Sequence, residues 1–117
     1  MLTEKSTLPF GIERNGETHR DFEIREQLVS DSISIFDDPV SGAKAEKNSQ
    51  YASLCITAMQ IVSIGTIPKN EITPDLLMEM LQADYNEISL AEVRLRARRE
   101  SFRSKDKALP SSDRNPA

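Results

Sequence analysis

The sequence predicts an α+β fold: an N-terminal β-hairpin, then a mostly helical part of three to four helices, then a disordered polar C-terminal tail. Three observations predict it. Residues 8–24 hold two alternating apolar runs with Asn15-Gly16 between them, a hairpin pattern. Residues 51–64, YASLCITAMQIVSI, contain no charge and place Tyr51, Leu54, Cys55, Ala58, Met59 and Val62 on one face of a 3.6-residue helix. Thr73-Pro74-Asp75 combines an N-cap, a proline at the first helical position and an acid in the first turn.

The length of 117 residues fits one domain. The pattern divides it into a flexible N-terminus (1–7), a single α+β domain (8–104) and a disordered tail (105–117). With 5% aromatics and no Trp, a large pocket with aromatic walls is not expected. One cysteine excludes an internal disulfide and a multi-cysteine metal site, and fits a reducing cytoplasm. MLTEKSTLPF lacks the apolar core of a signal peptide, and the apolar run of residues 51–64 is shorter than the roughly 20 residues of a membrane span. The net charge of -4 is unevenly spread: residues 1–93 carry 7 Lys/Arg against 16 Asp/Glu, and residues 94–117 carry 8 against 3. The body is acidic and the C-terminal end basic.

In the hairpin, Leu8, Phe10 and Ile12 alternate with Pro9, Gly11 and Glu13, and Phe22 and Ile24 alternate with Asp21, Glu23 and Arg25. A two-residue Asn15-Gly16 loop would pair 12 with 19 and put the two apolar sets on opposite faces. A three-residue loop, Arg14-Asn15-Gly16, pairs 8 with 22 and puts all five on one face. The reading is therefore a type I turn with Gly16 left-handed in a G1 bulge.

Leu28 to Asp38 alternates like a strand at Ile33 and Ile35, but Val29, Ile33 and Phe36 share a helical face. Ser30 can serve as N-cap with Asp31 in the first turn, so a short helix is expected, ended by Pro39 and Gly42. The central helix is expected to begin near Ala43 or Lys44 and run to Ile64. Gly65 would take the left-handed position after it, and Pro68 would block continuation. After Thr73, Leu76, Leu77, Met80 and Leu81 supply an apolar face. Tyr85, Ile88, Ala91 and Leu95 continue a stripe into a further helix to about Ser104, beside a second stripe of Leu90, Val93 and Ala97. Ser89 and Glu92 have capping-box spacing, so this helix could restart there.

From Ile64 the order of residues carries a resemblance. Ile64-Gly65 is followed by a Pro-containing link, then Leu76-Leu77 with Met80-Leu81, then Asp84-Tyr85-Asn86-Glu87-Ile88, then an Ala-Leu-Arg helix ending Arg98-Arg99. Upstream, Phe22-Glu23-Ile24-Arg25-Glu26 leads into Asp31. Over roughly residues 8–104 this resembles the tail assembly chaperones of Mu-like contractile-tailed bacteriophages and prophages. The strand departs from that pattern at Gln27, where a proline often follows the Arg-Glu pair. The resemblance implies a non-enzymatic protein of the host cytoplasm that binds the tape-measure protein during tail tube assembly, with tail tube components as a second candidate partner. It implies absence from the mature virion and no cofactor. It also implies a gene that often yields a longer product by ribosomal frameshifting.

An apolar groove made by amphipathic helices would suit a partner that aggregates when left uncovered. The expected partner-binding set lies on the last helix: Leu95 and Phe102 as anchors, with Arg98, Arg99 and Arg103 at the rim.

Other chemistry is less supported. His19 reads as a solvated strand histidine, because a metal site needs three or four convergent ligands. Cys55 reads as a buried thiol with nothing nearby in sequence to lower its pKa. Met59, Met78 and Met80 read as core filling rather than an adaptable binding surface. RLRARRESFRSKDK could bind nucleic acid through phosphates, but the acidic body would repel the backbone and no helix-turn-helix pattern is present. No Gly-rich phosphate loop, Ser/His/Asp arrangement or spaced metal ligands occur, so no enzyme, metal or cofactor is expected. Two alternatives stand beside the chaperone: a small nucleic-acid-binding regulator using residues 94–107, and a subunit that self-associates through its helices.

Overall fold

The computed structural model describes residues 1–108, with side chains through residue 103. Strands β1 (Thr3–Arg14) and β2 (Glu17–Arg25) form an antiparallel hairpin, and β3 (Ile61–Ile64) joins the other edge of β2, giving the order β1-β2-β3. Among the described residues there are five α-helices rather than three to four: α1 (Val29–Ser34), α2 (Pro39–Lys47), α3 (Ser49–Gln60), α4 (Pro74–Glu79) and α5 (Gln82–Ala108). A 3-10 turn, Lys69–Glu71, precedes α4.

The turn between β1 and β2 has two residues. Arg14 pairs with Glu17 and Ile12 with His19, while Asn15 and Gly16 both take positive φ, as a type I′ turn requires. The expected three-residue loop is not formed. The faces are reconciled further up the hairpin. Thr7 pairs with Asp21, so residues 8–11 of β1 stand against Arg20 alone. This bulge resets the parity of β1 and lets both Leu8 and Ile12 enter the core, while Phe10, expected on the buried face, is exposed. Gly11 sits in the bulge at φ +94°, where an added Cβ would meet the Arg20 side chain and the His19 carbonyl within 3 Å. The strand begins at Thr3, so residues 3–7, expected to be flexible, pair with β2.

The sequence 28–38 does form a short helix, but its N-cap is Leu28 rather than Ser30. Asp31 reaches back to accept the Leu28 N–H at 2.8 Å. Pro39 and Gly42 do not end this helix; Pro39 opens α2, capped by Asp38, whose carboxylate accepts the Ser41 N–H at 3.0 Å. The expected continuous central helix is broken at Asn48, whose side chain caps α3 through the amides of Gln50 and Tyr51. It ends at Gln60, four residues early, and Ile61-Val62-Ser63-Ile64 is the strand β3. A run of mostly β-branched residues beside an open sheet edge takes the strand. Gly65 is left-handed as expected (φ +53°), yet it follows a strand, with its N–H donated to the Asp21 carbonyl at 2.7 Å.

Thr73 caps α4 through the Leu76 amide, with Pro74 at the first position, as the sequence predicts. The last helix is continuous through Ser89, with no restart there. Of the expected tail, residues 105–108 continue α5 and residues 109–117 lie outside the described residues.

The main core joins Leu8, Ile12, Phe22 and Ile24 of the hairpin to Ile61 and Ile64, to Leu76 and Leu77, and to Ile88, Ala91 and Leu95 of α5. A second cluster, Ile35, Ala45, Tyr51 and Cys55, packs α1, α2 and α3 together.

Candidate functional site

Among the described residues, one face of α1 is left without a cover. Val29 and Ile33 fall at i and i+4 and are 83% and 67% exposed, and Phe36, half exposed, stands in the turn after the helix. The helix is nevertheless held firmly at its start. Arg25, at the end of β2, grips Asp31 with both terminal nitrogens at 2.8 and 2.9 Å. The hydrogen bonds from Arg25 hold the Asp31 carboxyl below its ordinary pKa against the opposing effect of burial, and the Leu28 N–H adds to this. Val29 and Ile33 are thus presented on a turn anchored to the sheet by a half-buried ion pair.

Beside this face, Leu28 and Val29 border a cleft of about 410 Å³ against α5, where Leu95, Arg96 and Arg99 form the other wall. Two of the five expected partner-binding residues therefore meet at one place. Leu95 is not an anchor there: it is 2% exposed, in the main core on the stripe Ile88, Ala91, Leu95. Arg99 is not a free rim charge either. Its guanidinium forks onto Glu26 with two hydrogen bonds of 2.8 Å. That contact, with the Leu2 N–H, holds the Glu26 carboxyl down to about 2.

The remaining expected residues point elsewhere. Arg98 donates to the Thr3 carbonyl at 2.6 Å and to Glu4 at 2.8 Å, fastening α5 to the start of β1. Arg94 bridges Glu4 and Glu87 on the same side. Arg103 pairs with Glu100 one turn away at 3.1 Å. Phe102 is 43% exposed, seven residues past Leu95 on the same face of the helix.

A larger groove, about 810 Å³, opens between α1, α2, α3 and α4. Ile35, Tyr51, Met59 and Ile72 line it, with Val40 at its lip. Asp37, Asp38 and Asp75 stand around it, and Tyr51 Oη donates to Asp75 at 3.3 Å. The Lys69 ammonium turns inward onto the carbonyls of Ala58 and Ile61, at the C-terminus of α3; desolvation lowers its pKa, and Arg25 adds to this. Cys55 is buried in the groove floor, and burial, then Asp75 and Asp38, push its thiol up. A thiol so placed is a poor nucleophile.

His19 is buried, contrary to its reading as a solvated residue. Its Nδ1 accepts the Thr66 N–H at 3.3 Å, and its ring lies where a Gly65 side chain would be. Among the described residues no group of three or more His, Cys, Asp or Glu side chains could hold a metal ion, and no helix is long and apolar enough to cross a membrane.

The exposed α1 face was half legible: Val29 and Ile33 share a helical face in the sequence, but the helix stops before Phe36 and the direction the face takes is not in the sequence. No protein-family model matches this chain, and no curated protein or solved structure matches it.

Proposed function

We propose that this protein is a phage tail assembly chaperone, a non-enzymatic interaction protein that binds and solubilises the tape-measure protein while the tail tube is built. The observation that carries this reading is the exposed apolar pair Val29 and Ile33 on α1, with Phe36 in the turn after it, beside the α1–α5 cleft. A long apolar partner helix can lay its stripe on such a face. Residues behind the resemblance support it by position: Arg25 anchors α1 through Asp31, and Glu26 anchors α5 through Arg99. The binding set moves accordingly from the last helix to α1, with Arg96 and Arg99 at the edge of the cleft. In this reading the protein works in the host cytoplasm and does not remain in the mature virion.

The nucleic-acid alternative is weakened by the same geometry. Arg94, Arg98 and Arg99 already meet carboxylates of the acidic body, which reduces what they can offer to phosphates.

The test is co-expression with the tape-measure protein of the same prophage and co-purification at high salt. A soluble complex, lost with Val29→Asp/Ile33→Asp, is expected. An insoluble tape-measure protein together with DNA binding at low salt would replace this reading with the regulator.

A further inference from the structure

We propose that the chain binds a second copy of itself head to tail, the end of α5 around Phe102 of one copy seating in the acidic groove between α1, α2, α3 and α4 of the next. The two halves are complementary in charge, and both carry apolar side chains. The groove has an apolar floor of Ile35, Tyr51, Met59 and Ile72, and three aspartates, Asp37, Asp38 and Asp75, stand around it. Its two cations are committed within the copy: Arg25 to Asp31, and Lys69 to backbone carbonyls. Its volume of about 810 Å³ lies in the range of clefts that enclose a ligand.

The occupant has the opposite character. Phe102 continues the buried stripe of Ile88, Ala91 and Leu95 but remains 43% exposed. Arg98 and Arg99, one turn earlier, are fastened to Glu4 and Glu26, so this end of the helix is presented in a set direction. Among the described side chains Arg103 pairs with the exposed Glu100, a surface contact that exchanges readily for another carboxylate. Lys105 and Lys107 add positive charge in the sequence. Within one copy α5 packs on β1 and β2, whereas α1 to α4 build the groove. Arg94, Arg98 and Arg99 are matched by carboxylates within the copy, so the charge match between copies falls to the helix end beyond them. Such a contact joins unlike surfaces, so repetition gives a ring or an open filament. It uses residues other than the α1 face, and it stands or falls separately from the chaperone reading.

The test is the mass of the purified full-length chain by light scattering across concentration, at low and high salt. Mass should rise with concentration and fall with salt. Val40→Asp at the groove lip and Phe102→Asp on the helix each alter an exposed side chain, so both should fold. Each should weaken association by about tenfold or more. An equimolar mixture of the two variants should give a dimer, because each keeps one intact half. Asp37→Lys and Arg103→Glu provide a second pair, in which mixing restores opposite charges. A wild-type monomer at every concentration would overturn the proposal. So would mixtures no larger than the single variants. A monomer that binds a basic amphipathic peptide in the groove would also overturn it, and would assign the groove to another protein.

Discussion

The buried carboxylate of Asp84, at the start of α5, accepts the backbone N–H of Gly11 at 3.0 Å and that of Phe10 at 2.8 Å. These two amides belong to the bulge that resets the parity of β1, where the sheet partner Arg20 cannot serve four residues at once. One side chain on the last helix therefore holds the irregularity on which the hairpin register depends. Asp84→Asn keeps the shape but turns one acceptor into a donor, leaving one amide unpaired. The expected loss is roughly 2–3 kcal/mol in urea denaturation, with faster hydrogen exchange at Phe10 and Gly11.

The two left-handed glycines at the turn and after β3 should differ in sensitivity. A Cβ on Gly65 would come within 2.3 Å of the His19 ring, whereas a Cβ on Gly16 meets nothing within 4 Å. Gly16→Ala should lose only the left-handed backbone cost of about 1–2 kcal/mol. Gly65→Ala should lose clearly more, because the His19 ring and its bond to Thr66 must move. Thermal melts of the two variants side by side give the order.

Acid should loosen the anchors of α1 and α5. The Arg99 hydrogen bonds lower the Glu26 pKa from 4.5 to about 2, and those from Arg25 lower that of Asp31 from 3.8. A depressed folded-state pKa contributes stability above the unfolded value and loses it as pH falls. Stability should therefore decline as pH drops from about 4.5 toward 2, less steeply in Glu26→Gln and in Asp31→Asn. Salt should shrink the Glu26 effect more, because Arg99 is half exposed. Melting temperature against pH for the three proteins checks this.

Leu95 and Val29 should separate folding from binding. Leu95→Asp places a charge in the main core and should abolish the cooperative melt. Val29→Asp alters a side chain in solvent and should melt within a degree or two of wild type. Circular dichroism melts of both variants distinguish a core residue from a surface one.

What the sequence could and could not reveal follows the range of each interaction. Thr73-Pro74-Asp75 caps its helix through atoms three residues apart, so α4 was legible. The Asn15-Gly16 hairpin was legible as well, but its loop length was not. The parity argument assumed an unbroken β1, and the bulge that breaks it is held by Asp84, more than seventy residues away. Ile61 to Ile64 fits a helix by periodicity and a strand by β-branching. The open edge of β2 decided between them, and that edge is a tertiary fact. At the candidate site, the apolar stripes of α1 and of α5 were both visible. Which one the sheet would cover was not, and the sheet took Leu95 and left Val29 and Ile33 outside.

The most direct test of the proposed function is the soluble yield of the tape-measure protein co-expressed with this chain and recovered at high salt. Wild type should keep it soluble in a complex, and Val29→Asp/Ile33→Asp should lose it while remaining folded. A folded double variant that still solubilises the partner as well as wild type would contradict the assignment of binding to the α1 face. A wild-type chain that leaves the partner insoluble would contradict the chaperone function itself.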